Sequence, residues 1–253
     1  LETRDGAPTE LGATVPISII EAAPTGGPMV WPPEPLAVVA LPAEAGSLLG
    51  LDHMAIHWEP HGHPPAAFLT EHFDFHFYNL APEEAGAIDC TDTSKPSRLP
   101  AGYALPDVEV PGMGTIVGLC VPRMGMHAVP ERDATTSTPF DASVLIGYYA
   151  GTPIFFEPMI AREELLLRKD IVLPVPRVAH LPEGVRYPAT FRARYDDAAE
   201  SLAVAAQRGP AQPELLYRWA EAQWLCGQPD QAAATATQAL QAAPDHQPSR
   251  ELI

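Results

Sequence analysis

The stretch His72-Phe73-Asp74-Phe75-His76-Phe77-Tyr78 alternates polar or phenolic residues with phenylalanine without a break. Side chains along a strand point to opposite faces with a period of two. As a strand it therefore carries His72, Asp74, His76 and Tyr78 on one face and three phenylalanines on the other. A helix would also align His72 with His76, but it would scatter the phenylalanines around its circumference, so the period selects the strand. Residues 53–59 repeat the design, with His53, Ala55, His57 and Glu59 alternating with Met54, Ile56 and Trp58. Paired through the 60–65 loop, which carries His61 and His63, the two strands bring their polar faces together. Six of the nine histidines fall in this one segment.

Working outward, residues 12–121 consist of short apolar runs separated by proline and glycine clusters. Runs at 15–20, 36–41, 54–58, 73–78 and 115–121, with breaks at 24–28 and 32–35, read as strands. The 30 prolines among 253 residues are more than twice ordinary usage and disfavour long helices. Residues 143–149 and 152–157, with Ala150 and Gly151 between them, predict a hairpin. Residues 159–168 lack glycine and proline and predict a short helix, and 170–192 is again extended. The fold expected for 1–192 is mainly β and mostly antiparallel.

From Tyr195 the composition turns alanine-rich. Ala198, Leu202, Ala205 and Pro210 align with Ala232, Ala236, Ala239 and Pro244 at a spacing of 34 residues, the tetratricopeptide period. Residues 213–246 resemble one complete repeat, and 195–210 the second helix of a truncated one. The expectation is a helical appendage over 193–253 of about one and a half repeats. Too short for an independent solenoid, it is expected to dock on the sheet domain, a neighbouring subunit or a protein partner.

The net charge of −17, from 32 acidic and 15 basic residues without a basic block, argues against nucleic acid as a partner. The apolar stretch 144–160 is interrupted by Gly147, Gly151, Pro153, Glu157 and Pro158, so no membrane span is expected. The chain opens at Leu1 without a basic segment and apolar run, which fits an export signal removed or never present. Cys90, Cys120 and Cys226 form neither a disulfide framework nor a zinc pattern. They admit a Cys90–Cys120 bridge in an oxidising compartment or three inert buried thiols.

Converging histidines and carboxylates must satisfy one another, bind a metal or face solvent, because burying them unpartnered costs several kcal/mol. Neutral imidazole suits zinc, copper, iron or nickel, and two histidines two apart on a strand reach one ion. Asp74 either ligates or accepts the second ring N–H of a liganding histidine. His127, in Gly125-Met126-His127, and Glu157, at the end of the hairpin, are candidate completions. The candidate ligands are thus the histidines of this segment with His127 and Glu157, and Asp74 and Tyr78 share their face. Copper or zinc is expected ahead of iron. The alternatives left open are a hydrogen-bonded network without metal and a solvent-facing polar sheet.

The motifs at His57-Trp58-Glu59-Pro60-His61-Gly62-His63-Pro64-Pro65, 72–78, 125–127 and Glu157-Pro158-Met159-Ile160 resemble a domain-of-unknown-function family of exported or envelope-stress-regulated bacterial proteins. That family is typified by a ring-forming, sigma-E-regulated hypothetical protein of thermophiles. The resemblance covers residues 10–168 and implies His57, His63, His72, His76, His127 and Glu157 as the metal ligands, with Asp74, His61 and Tyr78 expected in support; His53 and His61 stand outside its pattern. It implies a barrel-like β-domain, a homo-oligomer and an extracytoplasmic location, periplasmic or secreted, and supplies no reaction. Three functions follow as expectations: an envelope metal-binding protein; a metalloenzyme of oxygenase, isomerase or hydrolase type; or a structural module that builds an oligomer. No GxSxG, HExxH, Walker or Rossmann signature occurs.

Overall fold

In the computed structural model, residues 2–4, 7–28, 30–110, 114–197 and 201–207 are described. The first strands are β1 (Glu2–Arg4), β2 (Ala7–Pro16), β3 (Ala37–Ala40), β4 (His53–Glu59), β5 (His72–Tyr78), β6 (Tyr103–Ala104) and β7 (Val108–Val110). They are followed by β8 (Gly114–Ile116), β9 (Met126–Pro130), β10 (Ala142–Tyr149), β11 (Thr152–Ala161), β12 (Ile171–Pro174), β13 (Thr190–Asp196) and β14 (Ser201–Gln207). Five short helices join them: α1 (Ile17–Glu21), α2 (Ala43–Leu49), α3 (Pro82–Gly86), α4 (Glu131–Thr135) and α5 (Arg162–Leu166).

A seven-stranded sheet runs β3-β4-β5-β11-β10-β9-β6 and a five-stranded sheet runs β1-β2-β14-β13-β12. Every pairing with a stated register is antiparallel, including the central β4–β5 and β5–β11 pairs. β3 and β6 end the larger sheet, and among the described residues no pairing joins them. The expected barrel therefore does not close.

The phenylalanine face of β5 points into the main core. Phe73, Phe75 and Phe77 are at most 2% exposed and cluster with Met54, Ile56 and Trp58 from β4. Leu11 of β2, Phe191 and Ala193 of β13, and Leu202 and Val204 of β14 complete the cluster from the smaller sheet. Phe191 lies 6.0 Å from Phe75 and 6.2 Å from Phe77, centroid to centroid. At about 1.5–3 kcal/mol per buried large apolar side chain, this face anchors the fold. The opposite face of the same sheet holds the histidines. It is covered by segments carrying Ala67, Phe68, Leu119 and Phe140, and by Ala85 of α3 and Ile88 just after it. The disulfide between Cys90 and Cys120 ties two of these covering segments together.

The hairpin is as expected, with Ala150 and Gly151 both at positive φ (48° and 73°), the geometry a two-residue turn between twisted strands requires. Elsewhere the structure differs from expectation. Residues 17–21 form α1 rather than strand, because Ile17 and Ile20 at helical spacing bury together after Pro16. The helix expected over 159–168 begins only at Arg162, since Met159, Ile160 and Ala161 pair with Asp74, Phe73 and His72. The run expected over 115–121 divides into β8 and a turn of 3-10 helix at Val117–Leu119.

The helix expected from Tyr195 is absent where the chain is described: Thr190–Asp196 and Ser201–Gln207 are strands. Phe191 and Ala193 alternate into the core, as do Leu202 and Val204, so the buried face outweighs the helical preference of alanine. The chain divides into two units, Leu1–Ala206 and Gln207–Ile253. The repeat-like segment 213–246 and Cys226 lie outside the described residues.

Candidate metal centre

Strand register assembles the site. β4 and β5 place His57 opposite Asp74, Glu59 opposite His72 and His53 opposite Tyr78. β5 and β11 pair Asp74 with Met159 and Phe77 with Phe156, a constant register that sets Glu157 opposite His76. β9 and β10 place His127 opposite Gly147. Gly147 matters because a Cβ there would overlap the ring of Phe155, which packs 4.9 Å from His76 and 5.2 Å from His127. His63 comes from the loop before β5. There Gly62 holds φ at 62°, a side chain would collide with the Phe68 carbonyl, and the His63 N–H donates to that same carbonyl at 3.2 Å.

The donors gather into two sets of three. His63, His72 and Asp74 form one; His76, His127 and Glu157 form the other. In each, one ligand atom per residue lies within 4.8 Å of the other two. His72 Nε2 stands 3.2 Å from Asp74 Oδ1, His76 Nε2 stands 3.3 Å from Glu157 Oε1, and His127 Nε2 stands 3.7 Å from Glu157 Oε2. Five of the six residues are buried, and His63 is partly so.

Three of the histidines are oriented from behind. The Nδ1–H of His63 donates to Pro64 O at 2.8 Å, that of His72 to Thr70 O at 2.7 Å and that of His127 to Leu119 O at 3.0 Å. A proton fixed on Nδ1 leaves the Nε2 lone pair of the neutral ring pointing inward, the arrangement of a metal-bound imidazole. His72 Nε2, Asp74 Oδ1, both ring nitrogens of His76, and Glu157 Oε2 have no hydrogen-bond partner. The close His72–Asp74 and His76–Glu157 approaches are thus not aligned as hydrogen bonds. Buried polar atoms left unbonded cost about 1–3 kcal/mol each, less where an oppositely charged partner lies close, as for His72 and Asp74. Coordination to a cation would remove that cost, so these residues fit a metal.

Electrostatics prepare the same state. Burial holds His57, His63 and His127 at about 4, and His76 well below its usual range, so these rings are neutral near pH 7. Burial also opposes charge on His72, but the Asp74 carboxylate and the Thr70 carbonyl outweigh it and raise His72. Asp74 resists its own burial because His72, His63 and His76 surround it, and it is drawn well below the carboxylate range. Glu157 is pushed well above that range by burial and by the charges of Asp74 and Glu59. Glu59, opposite His72, rises to about 8 by burial and the Asp74 charge.

Of the residues singled out in the sequence, His63, His72, His76, His127 and Glu157 come together, and Asp74 joins them directly rather than only from behind. His57 belongs to neither set: it is buried beside His76, 4.8 Å between ring centroids, with Nδ1 unpartnered. It lines a pocket shared with His53, Tyr78, Glu34 and Arg123. Tyr78 stacks on His53 at 4.7 Å. His61 lies apart, its Nε2–H donating to Gly27 O at 2.8 Å on an exposed loop. Sequence reading missed the orienting carbonyls of Thr70 and Leu119 and the packing of Phe68 and Phe140 against His63 and His72. Backbone carbonyls carry no residue signature, and these contacts depend on loops that fold over the sheet. No family model, curated protein or solved structure matches the chain, so what the site does must come from its own chemistry.

Proposed function

We propose that this domain is an extracytoplasmic transition-metal-binding protein, taking copper or zinc ahead of iron through its buried histidine and carboxylate sets. The observation that carries the reading is the group of orphaned, fully buried ring nitrogens and carboxylate oxygens facing one another. Neutral imidazoles presenting Nε2 select borderline and soft divalent ions over magnesium or calcium, which prefer all-oxygen shells. The Cys90–Cys120 bridge supports an oxidising compartment. The β3 edge, where Leu36 and Val38 are 55% and 51% exposed, supports assembly with further copies.

A second reading, a metalloenzyme, is favoured by one observation. The pocket lined by His53, His57, Tyr78 and Arg123 lies beside the buried cluster, with His57 packed 4.8 Å from His76. That is where a small molecule would approach an open coordination position.

Thermal unfolding of the chelator-stripped chain tests the binding reading. A hundredfold excess of ligand over its dissociation constant stabilises by about 2.7 kcal/mol, or about 5–11 °C for a domain of this size. Zinc or copper is expected to give such a shift and magnesium none. Absence of a shift with every transition metal tried would remove the proposal.

A further inference from the structure

Resting on the reading of these residues as metal ligands, we propose that the centre is binuclear: two divalent transition-metal ions bound side by side, one in each set. The sets have the same composition, two histidines and one carboxylate, which is a complete protein shell for an ion that keeps further positions open. Each is tight enough for one ion, with its three donor atoms within 4.8 Å of one another. Among the described residues the six donors do not merge into one such cluster. Bonds of about 2.0–2.2 Å hold the donors of a single ion within about 4.4 Å of one another, so six donors that do not gather into one cluster point to two ions rather than one.

Orphaned buried atoms occur in both sets, His72 Nε2 and Asp74 Oδ1 in the first, His76 Nε2 and Glu157 Oε2 in the second. One ion would leave half of them uncompensated. The sets are also neighbours by construction. Asp74 and His76 are two apart on β5 and share a face, which puts their backbone positions about 6.6 Å apart. Ions held from adjacent positions on this face would be near neighbours, as in binuclear centres, where the best-known class separates them by about 3.5–4 Å. Asp74, opposite His57 of β4 and Met159 of β11, belongs to the first set and is next along this face to His76 of the second, which makes its carboxylate the candidate bridge between the two ions.

The test is metal stoichiometry on the full chain. Chelator-stripped protein is loaded with zinc, desalted and measured by elemental analysis, with His63→Ala and His127→Ala as variants, one in each set. The expected result is two equivalents in the natural chain, one in each single variant and none in the double variant. A copper-loaded sample of the natural chain gives a readout that needs no substitution: paramagnetic resonance is expected to show two coupled ions. One equivalent in the natural chain, abolished by one variant and untouched by the other, would overturn the binuclear proposal while leaving metal binding intact. No equivalents would overturn metal binding itself.

Discussion

Replacing Glu157 by glutamine should separate folding from metal binding, because the two carboxylates of the site are held in opposite charge states. Glu157 is buried, and burial together with the charges of Asp74 and Glu59 pushes its carboxyl well above the usual carboxylate range, which favours the neutral acid. Glutamine has the same shape and charge as that neutral acid. Glu157→Gln should therefore change the stability of the stripped protein by no more than about 1 kcal/mol, one neutral hydrogen bond's worth. Asp74 is the ionised one, surrounded by His72, His63 and His76. Asp74→Asn breaks a buried pair, a change that costs about 3–5 kcal/mol, and the low end applies because His72 can shed its proton. Metal affinity should behave differently. Loss of a direct anionic donor should exceed the ten- to hundredfold typical of outer partners, so Glu157→Gln should weaken its ion at least a hundredfold, about 2.7 kcal/mol. Urea unfolding of both stripped variants at pH 7, with calorimetric metal titration of the same samples, measures each quantity. A stripped Glu157→Gln protein as destabilised as Asp74→Asn would refute the reasoning, since Glu157 would then have been ionised and paired.

Acid should destabilise the stripped protein through its buried histidines. His57 and His127 titrate at about 4 when folded, against about 6.5 unfolded. Between those values the unfolded chain holds protons that the folded chain lacks, so stability is full above about 6.5, falls as pH drops and levels near 4. Glu59, raised to about 8, acts in the opposite sense, losing stability as pH rises from about 4.5 to 8. The limbs overlap from about 4.5 to 6.5, where the several buried histidines outweigh Glu59, so unfolding titrations should show a maximum near 6.5, and a flat profile from 4 to 6.5 would contradict the burial of the imidazoles. Gly147→Ala should cost about 1–3 kcal/mol by overpacking and should also weaken metal binding, because the displaced Phe155 ring leans on His76 and His127. Unchanged affinity in that variant would show that Phe155 does not set the ligand positions. Replacing Cys90 and Cys120 by serine opens a loop of 30 residues' separation and should lower stability by about 3–4 kcal/mol on the chain-entropy estimate, measured by urea unfolding.

Much of this site could be read locally. Period-two alternation over 53–59 and 72–78 fixed both which residues share a face and that the phenylalanines point to the core, because strand geometry is a property of consecutive residues. The division into two sets could not be read in this way. It depends on the registers of β5 with β11 and of β9 with β10, which are long-range pairings, and on a loop that swings His63 over His72. Asp74 illustrates the gap: its face was legible, but whether it ligates or supports was not, because that turns on the position of His63. The start of the alanine-rich segment, up to Gln207, misled for a different reason. Alanine is compatible with either state when its face is buried, and the alternation of Phe191 with Ala193, and of Leu202 with Val204, was the stronger signal. The short helix α1 was hidden because two isoleucines three apart also fit a short strand.

The most direct test of metal binding at this face of the sheet is anomalous scattering from crystals soaked in zinc after chelator treatment, with data collected on either side of the absorption edge. The expected map has strong peaks within bonding distance of His76 Nε2, His127 Nε2 and Glu157, and of His63, His72 and Asp74. Peaks confined to surface histidines such as His61, with none among these six residues, would contradict it.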